Sequence, residues 1–119
     1  MNKQLFSNVY DIDFKVFYDN FSNAEDVFEQ FSVGEEFRSG IDFIYAHYET
    51  PDYEGYAMAI FVKDGVLYEV NGSHCSCNGL EGQWEPEETS VIALLSRPNV
   101  PDAAKANLRK YYKNLMSFL

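Results

Sequence analysis

The side chains best suited to chemistry lie in the middle of the chain. His74, Cys75 and Cys77 follow one another closely in the segment Asn71–Pro86, and imidazole and thiolate are the ligands that zinc prefers. The whole chain, however, contains only two Cys and two His, adjacent His and Cys ligands are sterically awkward, and the CxxC spacing of common zinc sites is absent. We therefore expect no metal site and no cofactor.

A nucleophilic thiol is a second interpretation of the same residues. If the strand containing His47 ends where this segment begins, His47 and Glu69 come within reach of Cys75 or Cys77, and a His oriented by a carboxylate can activate a thiol. The alternative is structural: the cysteines pack as small apolar side chains, His47 is a satisfied histidine of the sheet, and Glu69 lies at a sheet edge in water. The structural alternative is far more common, so we favour a protein that is not an enzyme.

A third feature of this region is its charge. Between Lys63 and Arg97 the chain has six acids and no base, and such a segment should repel anions and attract a cationic surface. We therefore expect a partner-binding segment, with Trp84 as either a plug of the core or an interface anchor. Its candidate residues are Glu81, Trp84, Glu85, Glu87 and Glu88.

The overall charge narrows the class of partner. The net charge is −10, which disfavours nucleic-acid binding because contacts to phosphates depend on Lys and Arg. The last part of the chain is mildly basic, with Lys105, Arg109 and Lys113 at successive i+4 positions. This ridge on the final helix is the obvious candidate to neutralise the acidic segment within one molecule; otherwise we expect a protein partner with a basic surface.

The first elements are predicted from alternation and capping. Residues Ile12–Tyr18 alternate as in a strand. Ser22 and Glu25 have the spacing of a capping box, which predicts a helix that starts at Ser22 and buries Val27, Phe28 and Phe31.

A hairpin is the strongest local pattern. The segments Ile41–Glu49, Tyr56–Lys63 and Val66–Asn71 have the period of strands, and Asp64-Gly65 suits a type I′ turn between the last two. Pairing Lys63 with Val66 gives the hairpin two apolar faces, so we expect both to be covered.

The remaining elements complete the fold class. We expect an ordered loop over 71–86, a short helix starting at Glu87-Glu88-Thr89, and a final helix after Pro101-Asp102. The chain is thus predicted to be one α+β domain, residues 1–119, with a small antiparallel sheet of three to four strands and about three helices.

The compartment follows from the cysteines and the hydropathy. The spacing of Cys75 and Cys77 would strain a disulfide, which favours reduced thiols in the cytoplasm. The start of the sequence lacks the pattern of a signal peptide, and no run of about eighteen apolar residues is present. We expect neither secretion nor a membrane partner.

The stretch DGVLYEVNGSHCSCNGLEGQWEPEE, residues 64–88, resembles a stretch in small uncharacterised proteins of bacteriophages and prophages. The resemblance implies no defined activity, but such accessory proteins often bind host proteins, defence systems included. We therefore expect a phage-encoded acidic accessory protein that inhibits or modulates a host protein in the host cytoplasm, as an anti-CRISPR-type inhibitor does. A cationic surface that handles nucleic acid is one candidate for the surface it occupies. The alternatives are a small thiol- or metal-dependent enzyme centred on the 71–86 loop and a phage structural or assembly component.

The spacing of the cysteines gives a first testable prediction. Without added reductant, a thiol reagent should titrate both cysteines of the denatured chain, and a chelator should leave the melting temperature unchanged, since too few ligands are present for a structural zinc. Unfolding by the chelator, or loss of the free thiols, would contradict the prediction.

Overall fold

The computed structural model describes residues 17–50, 54–74 and 79–116. They form one five-stranded sheet whose strands lie in chain order. The strands are β1 (Phe17–Asp19), β2 (Asp42–Glu49), β3 (Gly55–Lys63), β4 (Val66–His74) and β5 (Glu87–Glu88). The helices are α1 (Ala24–Gln30), α2 (Val91–Leu95) and α3 (Asp102–Met116), with a 3₁₀ helix at Glu35–Phe37. The predicted α+β class is confirmed.

The sheet differs from the predicted one at both edges. It has five strands, and β1 pairs parallel to β2, because the chain crosses over through α1 between them. Most of the strand predicted at Ile12–Tyr18 lies outside the described residues. At the other edge, β5 has two residues, which is too short to produce a periodic pattern in the sequence.

The central hairpin forms as predicted. Lys63 pairs with Val66 and Phe61 with Tyr68. Asp64 and Gly65 have φ angles of 52° and 79°, and two successive left-handed residues are the backbone of a type I′ turn.

Both faces of this hairpin are buried, as expected. On one face, Ile60 and Val62 pack against Leu94 of α2 and Leu108 of α3. On the other face, Phe61 and Val70 join an aromatic cluster with α1 and the chain that follows it. We call these the helical face and the aromatic face.

The predicted start of the first helix is wrong by one residue. The N-cap is Asn23, whose side chain accepts a hydrogen bond from the amide of Asp26 (2.9 Å). The Asp26 carboxylate in turn accepts from the amide of Ser22 (3.0 Å). Asn is as good a cap as Ser, so two overlapping capping signals compete here. The burial predicted for Val27, Phe28 and Phe31 is confirmed.

The second helix also begins later than predicted. Glu87 and Glu88 form β5, and Ser90 is the N-cap of α2, accepting a hydrogen bond from the amide of Ala93 (3.1 Å). The final helix begins at Asp102 as expected. Among the described residues, none of the helices is long and apolar enough to cross a membrane.

The observed N-cap predicts different effects for substitutions of Asn23 and Ser22. Asn23→Ala should lower the free energy of unfolding by about 1 kcal/mol, because it leaves the Asp26 amide without its acceptor. Ser22→Ala should change it little, since only the backbone of Ser22 takes part. Equal losses in the two variants in urea titrations would contradict this cap.

Candidate functional site

The segment around the cysteines is partly strand. Asn71–His74 continue β4 and pair with β3, so the strand predicted to end at Asn71 ends three residues later. Cys75 and Cys77 lie outside the described residues. His74 lies on the aromatic face, where its Nδ1 hydrogen-bonds the hydroxyl of Tyr48 (2.7 Å).

His47 lies on the helical face, on the opposite side of the sheet from His74. It is 8% exposed, and its Nδ1 hydrogen-bonds the hydroxyl of Tyr45 (2.9 Å). Burial, together with nearby carboxylates, raises the pKa of Tyr45 above its usual range, so the phenol keeps its proton. Burial also lowers the pKa of His47, partly offset by the carboxylates of Glu49 and Asp19. His47 is therefore a neutral, satisfied histidine of the sheet.

Glu69 is buried in an ion pair, which corrects the expectation that it lies in water. Its carboxylate accepts hydrogen bonds from Arg97 and from the side-chain amide of Asn71. Burial by itself would raise the pKa of Glu69, but the hydrogen bonds from Arg97, Asn71 and Thr89 outweigh it and hold the pKa below its ordinary value. A buried carboxylate needs such partners.

These positions place His74 on the opposite face of the sheet from the other two described catalytic candidates, His47 and Glu69. His47 and Glu69 share the helical face, where His47, Asn71 and Arg97 line a cleft of about 400 Å³. The Glu69 carboxylate is occupied by Arg97 and Asn71, and His47 is oriented by a phenol rather than by Glu69. Within the described ranges, no three His, Cys, Asp or Glu side chains are grouped closely enough to hold a metal ion.

The acidic segment is at the surface. Glu81, Glu85, Glu87 and Glu88 are all exposed. The ion pairs found among the described residues are Arg38–Glu25 and Arg97–Glu69, and neither involves these four carboxylates.

The final helix does not neutralise this segment within the part of the chain that the structure describes. Lys105, Arg109 and Lys113 form no ion pair there with any of the four acids. Helix α3 packs on β2 and α2, and its Tyr111, Tyr112 and Leu115 line a cleft together with Glu88, Thr89 and Ser90. This proximity brings none of Lys105, Arg109 and Lys113 into an ion pair with the four acids among the described residues.

Trp84 is held in place by its neighbour Gln83. The Gln83 side-chain amide accepts from the amide of Ser73 (2.9 Å) and donates to the carbonyl of the same residue (2.7 Å). A side chain thus continues the ladder at the edge of β4 and fixes the returning chain against the strand.

The indole of Trp84 is consequently a plug of the aromatic face. It stacks on Phe61 with centroids 5.6 Å apart and an interplanar angle of 8°. It also makes an edge contact with Phe31 at 5.3 Å. The ring is only half-buried, so it seals the cluster and keeps an accessible edge.

That edge belongs to an apolar groove of about 430 Å³, which we call the aromatic groove. It is lined by Phe61, Tyr68 and Trp84 together with Phe37, Ile41, Lys63 and Pro86. Phe37 is 59% exposed. Sequence reasoning missed Phe37 because it stands outside any helical or strand period; its one signal is a large apolar residue amid charged ones.

Several exposed acids are neighbours of the residues that line the aromatic groove, either in sequence or across the sheet. Glu88 lies directly opposite Tyr68 in the β4–β5 pair, and paired residues project to the same face. Glu35 and Glu36 immediately precede Phe37 and are exposed. The lining of the groove is thus apolar apart from Lys63, and exposed acids adjoin Phe37 and Tyr68.

No protein-family model matches this chain, and neither the curated proteins nor the solved structures include a significant match. Its function must therefore be inferred from its own surface.

The buried His47 predicts a specific dependence of stability on pH. Because its pKa is lowered from the ordinary value of 6.5, the unfolded chain takes up this proton more readily than the folded protein. The stability it contributes is present above that value and is lost as the pH falls through the lowered pKa.

We expect the free energy of unfolding to fall between about pH 7 and about pH 5, and His47→Asn, which does not titrate, to flatten that slope. Urea titrations across the range would show this. An unchanged slope in the variant would contradict the assignment. Protonation of Glu69 would lower the free energy of unfolding only below the ordinary pKa of a glutamate, 4.5.

Proposed function

We propose that the protein is an acidic protein-binding factor that docks on a basic surface of its partner through the segment 81–88. The observation that carries this proposal is the exposure of Glu81, Glu85, Glu87 and Glu88 without an ion pair to any described base. Four carboxylates on one short segment create a field that steers a cationic surface towards it.

The packing of the segment supports a role as a docking surface. Trp84 and Gln83 fix the chain on the sheet, and β5 pairs with β4, so the acids are carried by ordered backbone. A preorganised surface loses less conformational entropy on binding than a flexible one. Trp84 serves mainly as the plug that holds the segment, and contributes to binding through its accessible edge.

The resemblance of residues 64–88 to bacteriophage proteins suggests the biological setting. In that setting the partner is a host protein, and one whose basic surface handles nucleic acid has the complementary charge. Binding would occupy that surface and so inhibit or modulate the host protein. The net charge of −10 opposes direct contact with nucleic acid itself.

Charge reversal tests the proposal. A variant with Glu85, Glu87 and Glu88 changed to Lys should fold normally, because these exposed side chains make no described ion pair. It should associate more slowly with the partner identified by wild-type pull-down, and the association rate should depend less on salt.

The matched control carries the same change of charge elsewhere. Glu29, Glu49 and Glu54 are exposed and have no ion pair among the described residues, so their replacement by Lys alters the net charge equally. If the two variants associate equally fast, only net charge matters; if the first matches the wild type, the segment is outside the interface. Either result overturns the proposal.

A further inference from the structure

We propose that the aromatic groove binds a basic amphipathic segment of the partner, which inserts an apolar side chain between Phe37 and Trp84. This inference rests on the proposed docking function and adds the place and the chemistry of the contact. The partner segment would combine Lys or Arg with a Leu or aromatic anchor.

The apolar part of the inference follows from the ring contacts. Phe61 stacks on Tyr68 (5.3 Å, 24°) and on Trp84 (5.6 Å, 8°), so three rings provide a continuous apolar surface on the aromatic face. Exposed aromatic side chains that border a cleft are typical anchors of protein interfaces. A volume of about 430 Å³ is small by the standard of binding pockets, which suits a few side chains of a segment.

The exposed wall of the groove is also held in place. Arg38, the residue after Phe37, donates from Nε to the carbonyl of Val33 (2.9 Å) and forms an ion pair with Glu25 (2.5 Å). Its guanidinium lies over the ring of Phe28, 5.3 Å from the centroid. Phe37 is thus exposed but directly precedes Arg38, which these three contacts hold in place. We infer that the wall of the groove formed by Phe37 exists before a ligand binds.

Charge complementarity selects a basic occupant. Glu35 and Glu36 precede the lining residue Phe37, Glu85 follows Trp84, and Glu88 pairs with Tyr68; all four acids are exposed. Lys63 is the base among the described residues that line the groove, and the four acids outnumber it. A neutral segment would gain nothing from these acids, whereas Lys or Arg side chains would be attracted to them and could also lie over the exposed rings.

Alternation along β5 separates two neighbouring acids. Glu88 is opposite Tyr68, which lines the groove, whereas Glu87 is opposite Glu69 on the helical face. Successive strand residues point to opposite faces. By this register Glu88 is the nearer of the two to a segment seated in the groove, although both acids contribute to the long-range field.

The experiment uses the wild-type protein to select binders from a library of random peptides. Each peptide has about a dozen residues, the scale of helix-in-groove ligands. Trp84 is the single tryptophan of the chain, so binding of the tryptophan-free selected peptides can be followed by its fluorescence. We expect the selected peptides to combine basic residues with a Leu or aromatic side chain and to change the Trp84 emission.

Substitutions then locate the peptide. Phe37→Ser should weaken binding about tenfold or more, whereas Tyr56→Ser, which alters an aromatic side chain of β3 that is 54% exposed and lines the cleft at His47, should not. Glu88→Lys should weaken binding more than Glu87→Lys, although the two make the same change of charge.

Three outcomes would contradict the proposal that the groove binds a basic segment. They are that no peptide is enriched, that the enriched peptides are not basic, or that their binding is insensitive to Phe37→Ser. Peptides that match the chain's own α3 could also be enriched, with self-association of the protein that Phe37→Ser abolishes. That result would assign the groove to a second copy of the chain and would also contradict the proposal. In all these cases the slower association of the triple Lys variant can still hold, so failure of the groove is distinguishable from failure of the docking proposal.

Discussion

Burial of both faces of the β3–β4 hairpin is the constraint on which the rest of the described structure depends. Val62 and Ile60 require a cover on one side, and α2 and α3 provide it. Phe61, which projects to the other side, is covered by rings: Tyr68 is its cross-strand partner, and Trp84 stacks on it. Because α1 alone leaves this face incomplete, the chain after β4 must return along the sheet edge to supply Trp84.

The return of the chain determines where the acids lie. Gln83 binds the backbone of Ser73, Trp84 enters the aromatic cluster, and the carboxylates that follow are left outside. Burying them would need a partner for each, as Glu69 has in Arg97. The same packing that completes the core therefore produces an acidic surface beside partly exposed rings, and this combination is what a basic amphipathic partner would recognise.

Local signals of the sequence were sufficient for the hairpin, its turn and the apolar residues of α1, because period and turn chemistry are short-range properties. Competing caps at Ser22 and Asn23 could not be separated, since both residues can accept the same kind of hydrogen bond. The strand at Glu87–Glu88 was missed because its pairing depends on β4, which is far away in sequence. The ion pair of Glu69 with Arg97 and the exposure of Phe37 likewise arise only once the sheet and the loops around it are assembled.

The central claim is that the face bearing the aromatic groove and the acidic segment is the binding surface. Amide hydrogen exchange, compared between the free protein and its complex with the captured partner, tests this most directly. We expect slower exchange on complex formation in residues 35–41 and 84–88, with the exchange of α3 unchanged. Protection confined to α3 or to the cleft at His47, with residues 35–41 and 84–88 unaffected, would contradict the account.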